Sequence, residues 1–496
     1  MTTAKTLLCP CEDVTAEEVR AAYGRGHRDL ESVKRYTGFG TGPCQGKTCH
    51  ALVARELLRL GATPAEVQPF TARTPADPVS LGELASLDPA LLPLAGPGVG
   101  EPAPPPGPGA RSSAAELPAR ADVVVVGGGI MGLCLAWNLA RRGRRDVVVL
   151  ERGYLNAGAS GRNGGGVRAQ WSTPTLIRLG RRSLELCARF AVEMGVNVWM
   201  RRGGYLFLAP SAEHGRRLEA AQRTHEACGL RTRLVTPDEA RELVPELDAS
   251  RYAAGAFNPD DGVVFPWPFL WGYARQAERL GVKVATFTRV TGFEAQGRRL
   301  AAVVTDRGRI ACDVVVNAAG AWAKEVAALA GVALPNRPTR HEILVTESMK
   351  PWLGPLVSVL GSGLYFSQSQ RGELVGGMGD PDEPEGIEMG SSLRFLARFA
   401  RAVTECVPAA AGLKVVRQWA GCYDVTPDNN PVLGAAGHEN FLQLSGFVGH
   451  GFMMAPAVGE IAADWMTGGP KDEILERFTL DRFARGDTVR EDFIIG

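Results

Sequence analysis

The chain has almost no net charge. Its 496 residues carry 55 Lys and Arg against 54 Asp and Glu, a formal balance of +1. This excludes the strongly basic face that nucleic acid selects and gives no support to an acidic partner. A clean membrane span is also missing. Residues 123–140 run without a charge up to Arg141 and Arg142, which is a spanning length by hydropathy alone. Three glycines directly after four valines break that helix. A buried strand, a tight turn and a buried helix start explain the run better. The opening, MTTAKTLLCPC, has too short an apolar stretch for a secretory leader. We therefore expect a cytoplasmic protein in reducing surroundings, where paired cysteines favour metal over disulfide. No internal repeat is visible, and only one dinucleotide fingerprint. What remains, 45% apolar residues with 60 Gly, is ordinary for a soluble α/β enzyme. The length allows roughly two to four domains.

Against this background four cysteines stand out. Cys9 and Cys11 form a C-x-C pair, and Cys44 and Cys49 follow in GTGPCQGKTCH. Two close thiolate pairs suit a [2Fe–2S] cluster, and zinc accepts the same set. The other six cysteines are scattered and are expected to act as buried small hydrophobes. Residues 1–70 read as a small helical module. Thr15 and Glu18 form a capping box opening its first helix, and further helices are expected at 29–36 and after Cys49. Residues 71–118 are rich in Pro, Ala and Gly and read as an extended linker, long enough for the module to swing or dock elsewhere. From 119 to 496 strand and helix patterns alternate, giving an α/β fold. Segments at about 200–255 and 335–410 interrupt it and read as a discontinuous substrate domain on a mixed sheet.

The sequence VVVVGGGIMGLCLAWNLARRGRRDVVVLER holds Gly127-x-Gly129-x-x-Gly132, after a strand and at a helix start. Glu151 ends the next strand, 19 residues beyond Gly132. Such glycines let backbone approach a pyrophosphate at the helix N-terminus, and the carboxylate accepts from ribose hydroxyls. The motif alone does not separate FAD from NAD.

Four further segments make that choice: ASGRNGGGVRAQW (159–171), VVVNAAGAWA (314–323), WAGCYDVTPDNNPVLG (419–434) and LSGFVGHGFMMAPAVGE (444–460). With them the chain resembles the FAD-dependent amine and amino-acid oxidoreductases of the D-amino-acid-oxidase superfamily over about residues 119–485. It is most like sarcosine oxidase β-subunits and dye-linked proline and hydroxyproline dehydrogenases. The segments around Cys9-Pro-Cys11 and Cys44-Gln-Gly-Lys-Thr-Cys49 resemble the [2Fe–2S] domain of bacterioferritin-associated ferredoxins. The resemblance implies an FAD-binding Rossmann-like domain with a discontinuous mixed-sheet substrate domain, preceded by a small helical [2Fe–2S] domain.

It also implies roles. Gly127, Gly129, Gly132 and Glu151, with Ile130, Met131 and Arg152 beside them, match the ADP-binding fingerprint. Ser160, Gly161, Arg162, Asn163, Gly164 and Gly165 match the segment passing the pyrophosphate and flavin ring. Val290 matches a strand residue at the adenine, and Ala319, Gly320 and Trp322 the turn beside the pyrophosphate. Gly449, His450, Gly451, Phe452 and Met453 match the loop opening the last helix. Arg168, Tyr365, Tyr423 and His450 match substrate-site positions, and Cys9, Cys11, Cys44 and Cys49 the cluster ligands. The isolated His27, His214, His225 and His438 are expected at the surface.

Departures from the pattern carry expectations too. Gly421 stands where some relatives attach FAD through cysteine, so FAD is expected to be non-covalent. Trp171 and Met453 stand where monomeric sarcosine oxidases place basic residues, so that carboxylate clamp is not expected. Pro266 precedes WPFLWGYAR where heteromeric enzymes attach FMN to histidine; non-covalent FMN at a partner interface stays open. Leu374 aligns with the oxygen-activating lysine, and residues 351–413 contain no lysine. The expected protein is a dehydrogenase of a small amino acid or amine (proline, hydroxyproline, sarcosine or glycine), passing electrons through the cluster to other redox subunits of a hetero-oligomer. The alternatives are an electron-transfer subunit without its own turnover, and a peroxide-forming oxidase.

Overall fold

The computed structural model describes residues 5–70, 73–94, 116–491 and 493. The apolar run after residue 119 splits as its glycines demand. Arg120–Val126 is a strand and Ile130–Arg141 a helix, with Gly127–Gly129 between them. Among the described residues no helix is long and apolar enough to cross a membrane.

That strand is central to an eight-stranded sheet. Val147–Leu150 and Lys283–Ala285 extend it in parallel on one side. On the other lies the long strand Gly308–Asn317, also parallel, in the register Val124↔Val315. The far edge of Gly308–Asn317 serves two partners. Its first half pairs antiparallel with Arg299–Thr305, and its last three residues pair parallel with His438–Ser445. The valines of Arg120–Val126 can all be apolar because helices Ile130–Arg141 and Gly451–Met466 cover one face and a second apolar cluster covers the other. The fold is thus α/β with a Rossmann-like nucleotide half.

A nine-stranded mixed sheet forms the second half. It joins Arg233–Val235, Ala254–Asn258, Tyr205–Ala209, Leu356–Val359, Tyr365–Gln368, Glu373–Met378, Arg337–Ser348, Lys414–Val425 and Val79–Ser80, in that order. Only Leu356–Val359 with Tyr205–Ala209 is parallel. The last edge strand is unexpected, since composition puts residues 79–91 in an extended linker. Ser80 and Glu83 form a capping box, and Leu81 and Leu84 bury against helix Leu393–Cys406. A short amphipathic turn thus overrides the surrounding Pro and Gly content. The rest of that stretch, 95–115, lies outside the described residues.

The first module has helices Ala16–Gly24, Leu30–Thr37 and His50–Arg59, and the Thr15–Glu18 capping box forms. Its core unites Val19, Leu30, Val33, Phe39, Val53 and Leu57 with Cys9 and Cys49. The module is docked on the flavin half. Tyr36 packs on Trp271 at 5.1 Å and its hydroxyl accepts from Arg275 at 2.6 Å. Glu12 pairs with Arg371, and Gln45 donates to Val416 O.

The isolated histidines are not surface groups as expected. His225 is 2% exposed, with Nε2 2.9 Å from Trp171 O. His27 is half-buried and stacked on Tyr36, and His438 is half-buried against Ala330 O. His214 is half-buried and lies beside Ser211. An imidazole ring can pack among apolar neighbours once one of its nitrogens finds a hydrogen-bond partner. Of the six scattered cysteines, five are buried and Cys228 is half-buried.

Candidate active site

A cavity of about 1040 Å³ runs from the Gly127 turn to the face of the nine-stranded sheet. Its nucleotide end is built by close packing of backbone. Gly127 has φ +115°, and a Cβ there would lie 2.4 Å from Ala318 O. At Gly132 a Cβ would lie 2.1 Å from Gly127 O. Glycine is therefore required where the turn, the helix and the neighbouring strand end meet. Ile130 N donates to Ser160 Oγ at 3.0 Å, which ties segment 159–165 to the helix start. Asn163 shapes that segment by accepting from Gly165 N and donating to Ser160 O.

Glu151 accepts from Gly128 N at 2.9 Å and from Gly153 N at 2.8 Å. Burial pushes its carboxyl up, and the two amides and Arg152 oppose that push. Arg152 stacks 3.8 Å from the Trp322 ring. Trp322 Nε1 and both polar atoms of Asn156 are buried without a partner, and both residues line the cavity. Orphaned polar groups around a glycine cradle fit a polar dinucleotide.

The other end is aromatic. His341 lies stacked between Tyr423 (4.4 Å) and Tyr365 (5.7 Å), with Nε2 3.0 Å from Tyr365 Oη. Burial pushes the imidazole down to about 3 and both phenols up, so all three are neutral over the working pH range. Tyr205 and Leu356, both against Gly166, also line the wall. His450 precedes helix Gly451–Met466 at its N-terminus and meets Trp171 edge-on at 4.7 Å. Its Nε2 is buried without a partner. Asp424 holds the approach to this loop, accepting from Gly446 N at 2.7 Å and Asn336 Nδ2 at 2.9 Å. Burial raises it to about 6.

The cavity wall takes the sequence-predicted residues with three exceptions. Arg168 is 1% exposed and lies behind the wall, donating to Gln170 O and Phe493 O and stacked 3.8 Å from Trp171. A buried guanidinium goes where carbonyl acceptors are, and here those lie away from the cavity. Gly132 and Gly161 also miss the wall and serve packing. A Cβ on Gly161 would sit 2.4 Å from Asn156 O. Leu374 needs correction too. It is 1% exposed in the core beside Phe366 and Phe399. Strand alternation gives the cavity side to its neighbour Val375 and to Gly377, whose Cβ position lies 2.5 Å from Tyr365 Oη. Among the described wall residues there is no lysine. Cys422, next to Gly421, donates its thiol to Glu388 O at 3.2 Å, and burial pushes it up to about 11.

The sequence reading missed His341, Tyr205 and Asp424. A histidine inside a strand, as in PTRHEILVTE, was the available signal for the first. It also missed that the cysteine module reaches the cavity, where Asp29, Glu31 and Arg73 form part of the wall. Glu31 accepts from Arg35 Nε at 3.0 Å. Burial pushes Glu31 up, but Arg35, Lys34 and Arg73 outweigh it and hold the carboxyl at about 2. The four cysteines form two hydrogen-bonded pairs, Cys9 with Cys49 and Cys11 with Cys44. Among the described residues no three His, Cys, Asp or Glu side chains converge to hold one metal ion.

The family model described as FAD dependent oxidoreductase matches residues 122–465. The chain belongs to that family. A second model, the sarcosine oxidase A3 domain, matches residues 3–87, so the first module's likeness extends past residue 70. The chain is 30% identical over 378 residues to sarcosine oxidase subunit beta of Rhizobium meliloti (strain 1021), covering 75% of this chain and 90% of that one. Among solved structures it is similar to L-proline dehydrogenase from P. horikoshii, with TM-score 0.72, 35% identity, and 75% and 100% of the two chains covered. Glycine oxidase from Geobacillus kaustophilus gives TM-score 0.69 at 25% identity, covering 74% and 99%. The chain is an FAD-dependent oxidoreductase of the kind that acts on CH–NH groups.

Proposed function

We propose that this chain is a dehydrogenase of a small amino acid or amine in the proline, hydroxyproline, sarcosine and glycine class, with non-covalent FAD and a [2Fe–2S] cluster on Cys9, Cys11, Cys44 and Cys49. The observation that carries it is the neutral aromatic end of the cavity, His341 between Tyr365 and Tyr423, opening onto the nucleotide cradle. FAD would lie along Gly127, Gly129, Ile130, Met131, Glu151, Ser160, Arg162, Gly320 and Trp322 and reach the Gly449–Met453 loop. When bound, it accepts the hydride from the carbon next to nitrogen, leaving an imine that water hydrolyses.

The residues prepare that transfer. A buried site of neutral groups disfavours an ammonium, so the substrate amine sheds its proton on entry. Tyr365 and Tyr423 stay protonated and can donate to the substrate. Hydrogen bonds to His341 Nε2 and to Tyr423 fix the Tyr365 hydroxyl. The N-terminus of helix Gly451–Met466 presents its positive end where negative charge develops on reduction.

The paired cysteines suit a two-iron centre better than a single ion, since each iron needs two protein thiolates. Amides of Gly40 and Glu12 bond to Cys9 and those of Thr48 and Gly46 to Cys44, which suits thiolate charge. The relatives named as sarcosine oxidase subunit beta support a place in a hetero-oligomer with other redox subunits. Pro266 begins a helix with no histidine before it, which disfavours covalent FMN; FMN at a partner interface needs that partner.

An anaerobic screen of amino acids and amines, followed by bleaching of the flavin absorbance, tests the reading. One of the named class should bleach the flavin, and none doing so would overturn it. Iron and sulfide analysis tests the cluster. Stoichiometric zinc without iron would sink that assignment, and Cys44→Ser should lose the iron.

A further inference from the structure

Residues Arg417, Trp419 and Gly421 alternate on strand Lys414–Val425 and so share one of its faces. At one end of this row stand the cysteine loops. Gln45, next to Cys44, donates to Val416 O, and Arg417 donates to Thr41 O. Glu12, next to Cys11, pairs with Arg371 in the turn joining strands Tyr365–Gln368 and Glu373–Met378 of the same sheet. At the other end Gly421 is on the cavity wall. Between them Trp419 Nε1 donates to Arg162 O at 2.9 Å, and Arg162 is itself a wall residue. Its ring lies 5.5 Å from the Arg417 guanidinium. The five steps of strand from Val416 to Gly421 span only about 17 Å.

A second set of contacts closes the same interface. Arg35 of the module bonds to Tyr154, a wall residue beside the nucleotide turn. Glu31 and Arg73 of the N-terminal segment form cavity wall, and Tyr36 is held by Arg275 and Trp271. The module is therefore part of the cofactor site and not an arm beside it.

We infer that the cysteine module is a fixed wall of the flavin cavity, and that Trp419 on strand Lys414–Val425 is the positioning residue bridging cavity and cysteine loops for electron transfer within one chain. This rests on the reading that the four cysteines hold a [2Fe–2S] cluster. The two electrons taken from a substrate C–H bond leave one at a time to a one-electron acceptor such as an artificial dye, and the protons go to solvent.

The test begins with iron and FAD contents of the full chain. The flavin is then reduced by a light flash under argon with EDTA as sacrificial donor, and cluster reduction is followed by visible absorbance and EPR. The rate should be first-order and independent of protein concentration. Trp419→Leu should slow it roughly tenfold, about 1.4 kcal/mol of barrier, and Trp419→Phe, which keeps a ring beside Arg417 but not the Nε1–H donor to Arg162 O, should restore only part of it. A rate that grows with protein concentration, or an unchanged rate in Trp419→Leu, overturns the inference. A chain without iron refutes the cluster reading itself and with it the electron path. Docking is then read by hydrogen exchange. Amides of residues 30–37 should exchange roughly tenfold faster in Arg275→Glu than in the native chain, and equal exchange overturns the fixed wall.

Discussion

Replacing His341 by glutamine should flatten the acid side of the stability profile. His341 is 7% exposed, and burial holds its imidazole at about 3 against an ordinary 6.5. Between those values the unfolded chain binds a proton that the folded chain does not. The stability tied to this group is whole above pH 6.5 and is lost as the pH falls toward 3. At about 1.4 kcal/mol per pH unit, the loss by pH 5 is about 2 kcal/mol. Asp261, Glu342 and Asp424 work the other way. Burial raises them to about 7, 7 and 6, so their contribution is whole at low pH and lost as pH rises through those values. They are present in both proteins and cancel in the comparison. Glutamine, with both a donor and an acceptor, keeps a hydrogen-bonding partner for Tyr365 Oη and removes only the titration. With an unfolding entropy of about 2 cal/mol/K per residue, 2 kcal/mol is about 2–3 °C for a flavin portion of this size. Thermal unfolding followed by circular dichroism near neutral pH and at about pH 5 reads it. The native melting temperature should fall about 2–3 °C more than that of His341→Gln. An equal fall in both would refute the reasoning.

Gly127→Ala should abolish FAD retention on gel filtration, because φ is +115° and the new Cβ would meet Ala318 O. A variant that keeps full flavin and the native melting temperature would contradict the packing argument. Substrate-reduced enzyme should reoxidise slowly in air and faster with an artificial dye, by about a hundredfold, because no lysine lies among the described wall residues to stabilise superoxide. Peroxide forming as fast as dye turnover would place the protein among the oxidases.

Local rules made the nucleotide half legible. Gly127, Gly132 and Glu151 each act through neighbours in one strand–turn–helix–strand unit, so their spacing already encodes their contacts. The aromatic end was half legible. Tyr365 and Tyr423 could be placed by resemblance, but His341 joins them only through a register set across two antiparallel strands. Arg168 and Leu374 misled for a related reason. A residue type and a position along the chain do not say which side of a sheet a side chain takes, and a one-residue slip reverses it. The docking of the cysteine module was invisible because every contact that makes it is distant in sequence. The linker's composition spoke only of what 71–118 lacks, and not of the capping box at Ser80 within it.

The shared wall of the cavity also bears on how the protein is made. The cysteine module precedes the strand on which it rests, Lys414–Val425, by most of the length of the flavin portion. The module therefore lacks that part of its seat until the strand has been made. The nucleotide cradle waits longer still, because strand His438–Ser445 and helix Gly451–Met466 complete it from later in the chain. Segments far apart in the chain thus close one cavity together, and neither the module's seat nor the cradle is finished before the residues beyond 414 have folded.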